Sequence, residues 1–183
     1  MKGLYLGITD ADSILYKVAA MNQDNELGEA VMNLNNFIYE RIKVNTLCDK
    51  YIFCLSGGRS GRDEIAVTKP YKGQRVKAEL NHIDGLREYL IDEYSALTIE
   101  PYEADDLVVS LHDRYSLDSL LIGIDKDNLQ STGYHYNYDK ELFLNLDAHQ
   151  SQRNFSIQML TGCSGDNVTG IPKVGIKTAE KLL

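Results

Sequence analysis

Acidic residues follow three short apolar segments of the sequence, at the point where each segment ends. The carboxylates in these positions are Asp10, Asp12, Glu103, Asp105, Asp106, Asp125 and Asp127. In an open parallel sheet, the carboxyl ends of the strands form the crevice in which ligands bind. Carboxylates gathered there repel one another unless cations neutralise them or their pKa values rise. Oxygen donors without a His or Cys cluster favour a hard cation, so we predict Mg²⁺ or Mn²⁺ here rather than Zn²⁺.

Each of these carboxylates also has a purely structural explanation. Asp and Glu are common at helix N-caps and in first helical turns, where they accept hydrogen bonds from free N–H groups. A single acidic residue is therefore better explained by capping than by metal binding, but clustering after three separate segments favours a metal site. Asp105 and Asp106 are adjacent on one predicted helix and cannot both point the same way, so we expect one of them to lie outside the inner ligand set.

The segments that position these carboxylates predict an α/β fold. Near-continuous apolar runs are typical of parallel strands covered on both faces. Four such runs occupy residues 4–8, 51–55, 97–99 and 120–124. Helical patterns occupy residues 27–44, 76–94, 104–115 and 151–160. Strand and helix therefore alternate, which predicts a mainly parallel central sheet flanked by helices, with a short hairpin expected over residues 135–144.

Two further segments have the composition of functional loops. Residues 57–75 are too polar for a strand and predict a long or weakly helical loop, and loops of that length are usually functional. Residues 170–179 form a glycine-bounded turn that leads into a basic helix start. Exposed N–H groups at such a turn bind phosphate without sequence selectivity, although an ordinary turn before a helix is the alternative. The candidate DNA-contacting residues there are Gly170, Lys173, Gly175, Lys177 and Thr178.

The composition limits the classes of protein that fit. The chain has 183 residues with 27 acidic and 19 basic side chains, a net charge of −8, which suits one compact domain. No apolar stretch is long enough for a membrane span, and the first residues lack the apolar core of a signal peptide. Three cysteines without a paired spacing argue against a disulfide framework. We therefore expect a cytoplasmic protein with no membrane partner.

The motifs together resemble those of the 5′-nuclease family, which comprises flap endonucleases, phage 5′→3′ exonucleases and the 5′-nuclease domain of bacterial DNA polymerase I. Residues 102–106 resemble the E-A-D-D motif of that family, 125–130 its D-K-D-x-x-Q motif, and 9–11 its first Asp motif. Residues 71–75 resemble the Y-K-x-x-R at the base of its helical arch. Residues 160–183 resemble its helix-turn-helix-like DNA clamp, which grips duplex phosphates around a monovalent cation.

The resemblance implies a role for each motif. The first divalent metal would be held by Asp10, Glu103, Asp106, Asp125 and Asp127, and the second by Asp105 and Asp166. Lys72 and Arg75 would contact the scissile phosphate, with help from Lys17, and K⁺ would lie at the C-terminal clamp. Residues 1–162 would form a PIN-like catalytic domain with the arch at 57–80. Residues 163–183 would begin a helix–three-turn–helix region that continues in further sequence.

Two positions depart from the family pattern. Ser56 follows the second strand where the family has an Asp, and Cys163 replaces the first Asp of the G-D-x-x-D-N block. A thiol is a poor Mg²⁺ ligand, so we expect the second metal to bind weakly. Asp12 is an additional carboxylate that would compensate in part.

Three functions are compatible with these residues. The leading one is a monomeric, Mg²⁺- or Mn²⁺-dependent 5′ nuclease acting on 5′ ends or flaps of DNA or RNA/DNA hybrids, in replication or repair in bacteria or phage-infected cells. The second is a non-catalytic, structure-specific DNA-binding protein, suggested by Ser56 and Cys163. The third is a phosphatase of haloacid-dehalogenase type, because residues 10–13 imitate its D-x-D motif.

The acidic balance at first argues against a nucleic-acid partner, because phosphate binding normally requires a basic surface. With Asp166 included, eight carboxylates belong to the proposed site. Removing them from the 27 acidic residues leaves 19, equal to the 19 basic residues. The negative excess is therefore concentrated where the metals are expected, and the remaining basic residues are free to contact phosphates.

Overall fold

A six-stranded sheet forms the centre of the protein in the computed structural model, which describes residues 5–58, 60–75, 79–115 and 118–183. Its strands are β1 (Leu6–Asp10), β2 (Lys50–Leu55), β3 (Leu97–Thr98), β4 (Ser119–Ile122), β5 (Gly133–Asn137) and β6 (Leu142–Leu146). The spatial order is β3-β2-β1-β4-β5-β6, and only β6 runs antiparallel to its neighbour. The predicted α/β class with a mainly parallel sheet is confirmed.

Helices connect these strands and cover both faces of the sheet. They are α1 (Ala11–Met21), α2 (Leu27–Phe37), α3 (Val44–Thr46), α4 (Arg62–Ile65), α5 (Ile83–Tyr94), α6 (Ala104–Tyr115), α7 (Ala148–Thr161) and α8 (Ile176–Leu182). A π-helical segment, Ile38–Lys43, joins α2 to α3. Within the described part of the chain, no helix combines the length and the apolar character needed to cross a membrane.

Alternating side chains of the central strands form two apolar layers, because successive residues of a strand point to opposite faces. Leu120 and Ile122 of β4 join the larger layer with α1, α2 and α5, whereas Leu121 joins the smaller layer with α6. Every residue of β1 and β4 is buried, which explains why these strands have continuous apolar sequences. Both faces of the sheet are therefore covered, and its carboxyl edge is left for the site.

Two helices differ from the sequence-based prediction, namely α1 and the start of α5. Helix α1 was not predicted, because it begins directly after β1 with no intervening loop, although Ala11, Ile14, Leu15 and Val18 have helical spacing and are buried. The helix expected over 76–94 begins at Ile83, since residues 79 and 80 are irregular and residues 81 and 82 form a turn; residues 76–78 lie outside the described residues. The hairpin and the helix near residue 151 are confirmed and extend by a few residues.

A short two-stranded sheet follows α7 and depends on close backbone contact between two glycines. Strands β7 (Gly162–Cys163) and β8 (Val168–Thr169) flank a 3₁₀ turn, Ser164–Asp166. A Cβ atom on Gly162, whose φ is +74°, would lie 2.3 Å from the backbone N of Gly170. A Cβ atom on Gly170 would lie 2.2 Å from the carbonyl carbon of Thr161. Both glycines are therefore required by packing.

Replacing Gly170 by Ala tests this contact, with Gly175→Ala as the matched control. No atom lies within 4 Å of a Cβ atom on Gly175, so that substitution meets no obstacle. We expect Gly170→Ala to cost about 1–3 kcal/mol, because backbone must move to admit the methyl group. Gly175→Ala should cost no more than about 1 kcal/mol, because Ala is a poorer N-cap residue than Gly but its methyl group meets no obstacle. Thermal unfolding followed by circular dichroism measures both, and equal losses would contradict the packing role.

Candidate active site

Asp10 links the central strand to the first helix of the candidate active site. It ends β1 and is the N-cap of α1, where its Oδ1 accepts hydrogen bonds from the N–H groups of Asp12 (3.1 Å) and Ser13 (3.4 Å). The side chain is 7% exposed, and burial together with the charge of Asp12 raises its pKa to about 7. Asp10 therefore has the capping role, and it also remains a buried carboxylate that gains from a nearby cation.

The start of α6 brings together the carboxylates of Glu103, Asp105 and Asp106. Glu103 directly precedes α6 and is 9% exposed, and its backbone N–H donates to Oδ2 of Asp106 at 3.1 Å. The next N–H, of Ala104, donates to Oγ of Ser56 at 3.0 Å. The hydroxyl of Ser56 therefore accepts a hydrogen bond at the start of this helix, at the position where the sequence resemblance implies an Asp.

Arg62 of α4 places its guanidinium among these three carboxylates. Its Nη1 lies 2.5 Å from Oε2 of Glu103 and 3.3 Å from Oδ2 of Asp105, and its Nη2 lies 2.6 Å from Oδ1 of Asp106. Sequence reasoning did not single out Arg62, and its position in the polar segment 57–75 is the only signal that pointed to it. It partly neutralises charge that separate metal ions were expected to neutralise.

Tyr71 and Lys72 also contact Glu103. The hydroxyl of Tyr71 donates to Oε2 of Glu103 at 2.8 Å, and Nζ of Lys72 lies 2.9 Å from the same oxygen. Burial alone would raise the pKa of Glu103, but the hydrogen bonds from Lys72 and Tyr71 outweigh it and lower the pKa. For Asp105, burial outweighs the attraction of Arg62, and its pKa is raised. The neighbouring cations therefore stabilise the charged form of Glu103 more than that of Asp105.

The residues after β4 form a second group of ligands. Asp125 is the N-cap of a 3₁₀ turn, Lys126–Gln130, and accepts a hydrogen bond from the N–H of Asp127 at 2.9 Å. Oδ1 of Asp127 accepts from Nε2 of Gln158, on α7, at 2.7 Å. Burial and the charge of Asp125 raise the pKa of Asp127. The hydrogen bond from Gln158 therefore holds the side chain of Asp127 near α7 and near the residues that follow this helix.

Asp127 meets the residues that follow α7. One ligand atom each from Asp127, Cys163 and Asp166 lies within 4.8 Å of the other two. Arg75 is held beside this group by a hydrogen bond from its Nε to the carbonyl of Gly165 at 2.9 Å, and its Nη2 lies 3.5 Å from Oδ1 of Asp166. Cys163, treated above as a lost ligand, is one of the three donors.

One cleft of about 840 Å³ joins the two groups of carboxylates. Its lining includes Asp105 and Asp106 from the start of α6, and Asp127 and Asp166 from the second group. Asp10 lies close enough to Asp105 for their charges to interact. The predicted metal ligands are therefore brought to the same edge of the sheet, although they come from residues 10 to 166.

Other predicted site residues lie away from this cleft. Lys17 pairs with Asp139, and Asp12 accepts a hydrogen bond from the N–H of Ser56 and faces Arg87. The candidate DNA-contacting residues lie on the turn before α8 and its first residues. Four of them are exposed and one, Gly170, is half-buried; they are Gly170, Lys173, Gly175, Lys177 and Thr178.

Comparison with known proteins identifies the fold. No protein-family model and no curated protein matches the sequence. The 5′-exonuclease of bacteriophage T5 with zinc bound matches with a TM-score of 0.70 at 19% identity, covering 97% of this chain and 74% of that one. The catalytic core of Rad2 in complex with a DNA substrate gives 0.60 at 18% identity, covering 96% and 60%. Human GEN1 in complex with Holliday junction DNA gives 0.56 at 15% identity, covering 98% and 49%.

These similarities confirm the resemblance to 5′-nucleases at the level of the fold. The match to the T5 5′-exonuclease extends over nearly the whole of this chain. Identities below 20% describe shared architecture. Function has to be argued from the site itself.

Replacing Arg62 by Ala tests its charge-balancing role, with Arg41→Ala as the matched control. Arg41 forms an exposed ion pair with Glu141, and such pairs contribute little stability. Without Arg62 three carboxylates lose a shared cation, so we expect a loss of about 1–3 kcal/mol in the metal-free protein, discounted for partial exposure. Adding Mg²⁺ should raise the Tm of Arg62→Ala by more than it raises the Tm of the unsubstituted protein. Similar Tm values for both variants in EDTA would contradict this role.

Replacing Asp10 by Asn tests the raised pKa of this carboxyl. Its folded pKa of about 7 exceeds the ordinary value of 3.8, so its charge costs stability above pH 7 and this cost disappears as the pH falls toward 4. Asn preserves the helix cap. We expect Asp10→Asn in EDTA to raise the Tm by at least about 3 °C at pH 8, since 1 kcal/mol shifts the Tm by roughly 2–4 °C. At pH 4 the Tm should be nearly unchanged. A change that is the same at both pH values would rule out the pKa shift as its cause.

Proposed function

We propose that the protein is a divalent-metal-dependent 5′ nuclease that hydrolyses phosphodiester bonds at 5′ ends or flaps of DNA. The observation that supports this most directly is the cleft in which carboxylates that follow β3, β4 and α7 share a lining with Arg62 of the segment 57–75, while Lys72 of the same segment pairs with Glu103. Acidic residues that bind metal and basic residues that bind phosphate are the two requirements of metal-assisted phosphodiester hydrolysis. The fold shared with the T5 5′-exonuclease agrees with this assignment.

The donor set fits divalent cations. Carboxylate oxygens are the preferred ligands of Mg²⁺ and Mn²⁺. Burial, with the charge of neighbouring carboxylates, raises the pKa values of Asp10, Asp105 and Asp127, and a bound divalent cation would favour their charged forms. We assign the first ion to Asp10, Glu103, Asp106, Asp125 and Asp127, and the second to Asp105 and Asp166. Bound metal would lower the pKa of a water and stabilise the leaving oxygen.

The basic residues of the cleft act on the phosphate. Lys72 is positioned by Glu103 and Arg75 by the carbonyl of Gly165, so both point toward the carboxylates before substrate arrives. Arg62 belongs to the same set. These cations stabilise the charge that develops on the phosphate, and their preorganisation avoids a reorganisation cost during the reaction.

The C-terminal turn supports a role in gripping duplex DNA. Its exposed residues, Lys173, Lys177 and Thr178, are available for phosphate contacts at the start of α8, with K⁺ as the proposed monovalent ion. On this proposal residues 1–162 are the catalytic domain, 57–80 the arch and 163–183 the beginning of the DNA-binding region. The protein would act as a monomer on DNA or RNA/DNA hybrids. Rad2 and GEN1, which share this fold, are found in complex with a DNA substrate and Holliday junction DNA, and this supports DNA as the partner.

A second candidate, a non-catalytic DNA-binding protein, is favoured by one observation. The guanidinium of Arg62 contacts three carboxylates that the nuclease proposal assigns to metal. If Arg62 does not yield to metal, the cleft binds branched DNA without cleaving it. The phosphatase alternative has no comparable support, because Asp12 is held by Ser56 and Arg87 rather than facing the cleft.

Cleavage of a 5′-labelled flap duplex in Mg²⁺ or Mn²⁺ tests the nuclease proposal. The unsubstituted protein should release short 5′ products. The double variant Asp125→Asn, Asp127→Asn should cleave at least about 100-fold more slowly, a loss of ~2.7 kcal/mol of transition-state stabilisation, because two proposed metal ligands lose their charge. Lys72→Ala should slow cleavage, while metal should still raise the Tm, by at least as much as in the unsubstituted protein, because Glu103 loses its paired cation.

The matched acidic control is Asp24→Asn, an exposed residue between α1 and α2, which should cleave at the normal rate. Binding of the flap duplex with no turnover in either metal would replace the nuclease by the DNA-binding alternative. Undiminished cleavage by the double variant would show that the carboxylates after β4 are not the metal ligands.

A further inference from the structure

The carboxylates at the start of α6 form the first half of the cleft, and Asp127, Cys163 and Asp166 form the second half. The two halves differ in how far side-chain cations neutralise their carboxylates. Glu103 and Asp106, in the first half, lie within 3 Å of the side-chain nitrogens of Arg62 or Lys72. In the second half, Asp127 accepts a hydrogen bond only from the neutral amide of Gln158, among the bonds of the described residues, and Arg75 reaches Asp166 at 3.5 Å. The second half therefore offers ligand atoms that side-chain cations satisfy less completely.

The second half also combines two kinds of donor. Carboxylate oxygens of Asp127 and Asp166 and Sγ of Cys163 all lie within 4.8 Å of one another. Ligands of one tetrahedral ion with bonds of about 2.0–2.3 Å lie about 3.3–3.8 Å apart, so the side chains close around an ion by a short movement. All three residues are half-buried, so solvent ions have access to them. Cys48 and Cys54 are buried in the core, and Cys163 is the only cysteine that the cleft region presents among the described residues.

A buried side chain at this cleft has no hydrogen-bond partner among the described residues. Asn128 lines the cleft next to Asp127, and its side chain is 2% exposed. Neither its amide nitrogen nor its amide oxygen has a hydrogen-bond partner among the described residues. An unpaired buried amide costs free energy, and a metal-bound water donates a hydrogen bond that an amide oxygen accepts. The cleft therefore contains an acceptor that the hydration shell of a cation would pair.

We propose that Asp127, Cys163 and Asp166 form a mixed carboxylate–thiolate site that takes Zn²⁺, or Co²⁺ in its place, in preference to Mg²⁺. A thiolate binds borderline metals such as Zn²⁺ far better than hard Mg²⁺. Cys163 binds as the thiolate, and its proton is released to solvent when the sulfur–metal bond forms. On this proposal Asp127, assigned above to the first ion, instead joins Asp166 at the second ion, and Cys163 takes the place given to Asp105. The oxygen-only donor set then holds for the remaining ligands of the first ion, and the second half is selective for a softer ion.

This inference concerns the proposed nuclease cleft and deepens that assignment by naming the class of ion for its second half. It rests on the proposed function only for the expectation that the cleft takes divalent metal. Metal binding can be read without cleavage, so the two proposals are separable. A sulfur–cobalt signal without nuclease activity leaves the metal site standing, and cleavage in Mg²⁺ without that signal removes the metal site alone.

Titration of the full chain with Co²⁺, followed by absorption spectroscopy, tests the site. A thiolate bound to Co²⁺ gives a sulfur-to-metal charge-transfer band in the near ultraviolet that oxygen ligands do not give. We expect this band to appear at one equivalent of Co²⁺ and to disappear when Zn²⁺ is added, whereas a large excess of Mg²⁺ should leave it. Absence of the band, or its removal by Mg²⁺, would overturn the proposal.

Three cysteine variants identify the sulfur and the selectivity. Cys163→Ser should lose the band and bind Zn²⁺ at least about tenfold more weakly, because even outer-sphere substitutions cost about 10–100-fold in affinity. Cys48→Ser, away from the cleft, should keep the band. Cys163→Asp should lose the band and move the ratio of Zn²⁺ to Mg²⁺ affinity toward Mg²⁺. Circular dichroism confirms folding of each variant, and a band that persists in both Cys163 variants would assign the sulfur elsewhere and refute the site.

Discussion

Mutual repulsion between carboxylates at the carboxyl edge of the sheet is the constraint on which the cleft depends. The parallel pairing of β1 with β2 and β4 places their carboxyl ends side by side, so Asp10 and the residues after β4 share one edge. Burial deepens the conflict, because a charge removed from water interacts more strongly with its neighbours. The raised pKa values of Asp10 and Asp127 record this conflict in the metal-free protein.

Compensation of this charge also organises the segment between β2 and α5. The described residues of that segment have little regular structure apart from the single turn of α4, and several of their contacts with the rest of the protein are polar. Backbone N–H groups of Gly57 and Gly61 donate to the carbonyls of Tyr102 and Pro101, and Arg62 and Lys72 contact the nearby carboxylates. The residues proposed to bind phosphate are therefore held in place by the residues proposed to bind metal. Occupation of the carboxylates by metal and release of these cations toward phosphate are thus linked by charge.

Most of the architecture could be predicted from the sequence, because burial imposes local patterns. Continuous apolar runs identified the parallel strands, and the residue pairs at their ends identified the edge where ligands bind. Helix α1 was missed although its apolar spacing is regular, because Asp10 ends the strand and caps the helix at the same time and leaves no loop residues as a boundary. The start of α5 was displaced because turn residues with polar and apolar side chains imitate helical spacing.

The sequence by itself determined which chemical groups the protein possesses and which strand ends present them, since both follow from residue order and local periodicity. Only the tertiary structure decided which groups neutralise one another. Arg62 reaches three carboxylates more than 40 positions away, and Cys163 joins Asp127 across helix α7. Such pairings depend on how helices and loops pack against the sheet and on the balance of charge in the cleft. No local pattern encodes that balance, so neither the internal cation of the first half nor the mixed donor set of the second followed from residue spacing.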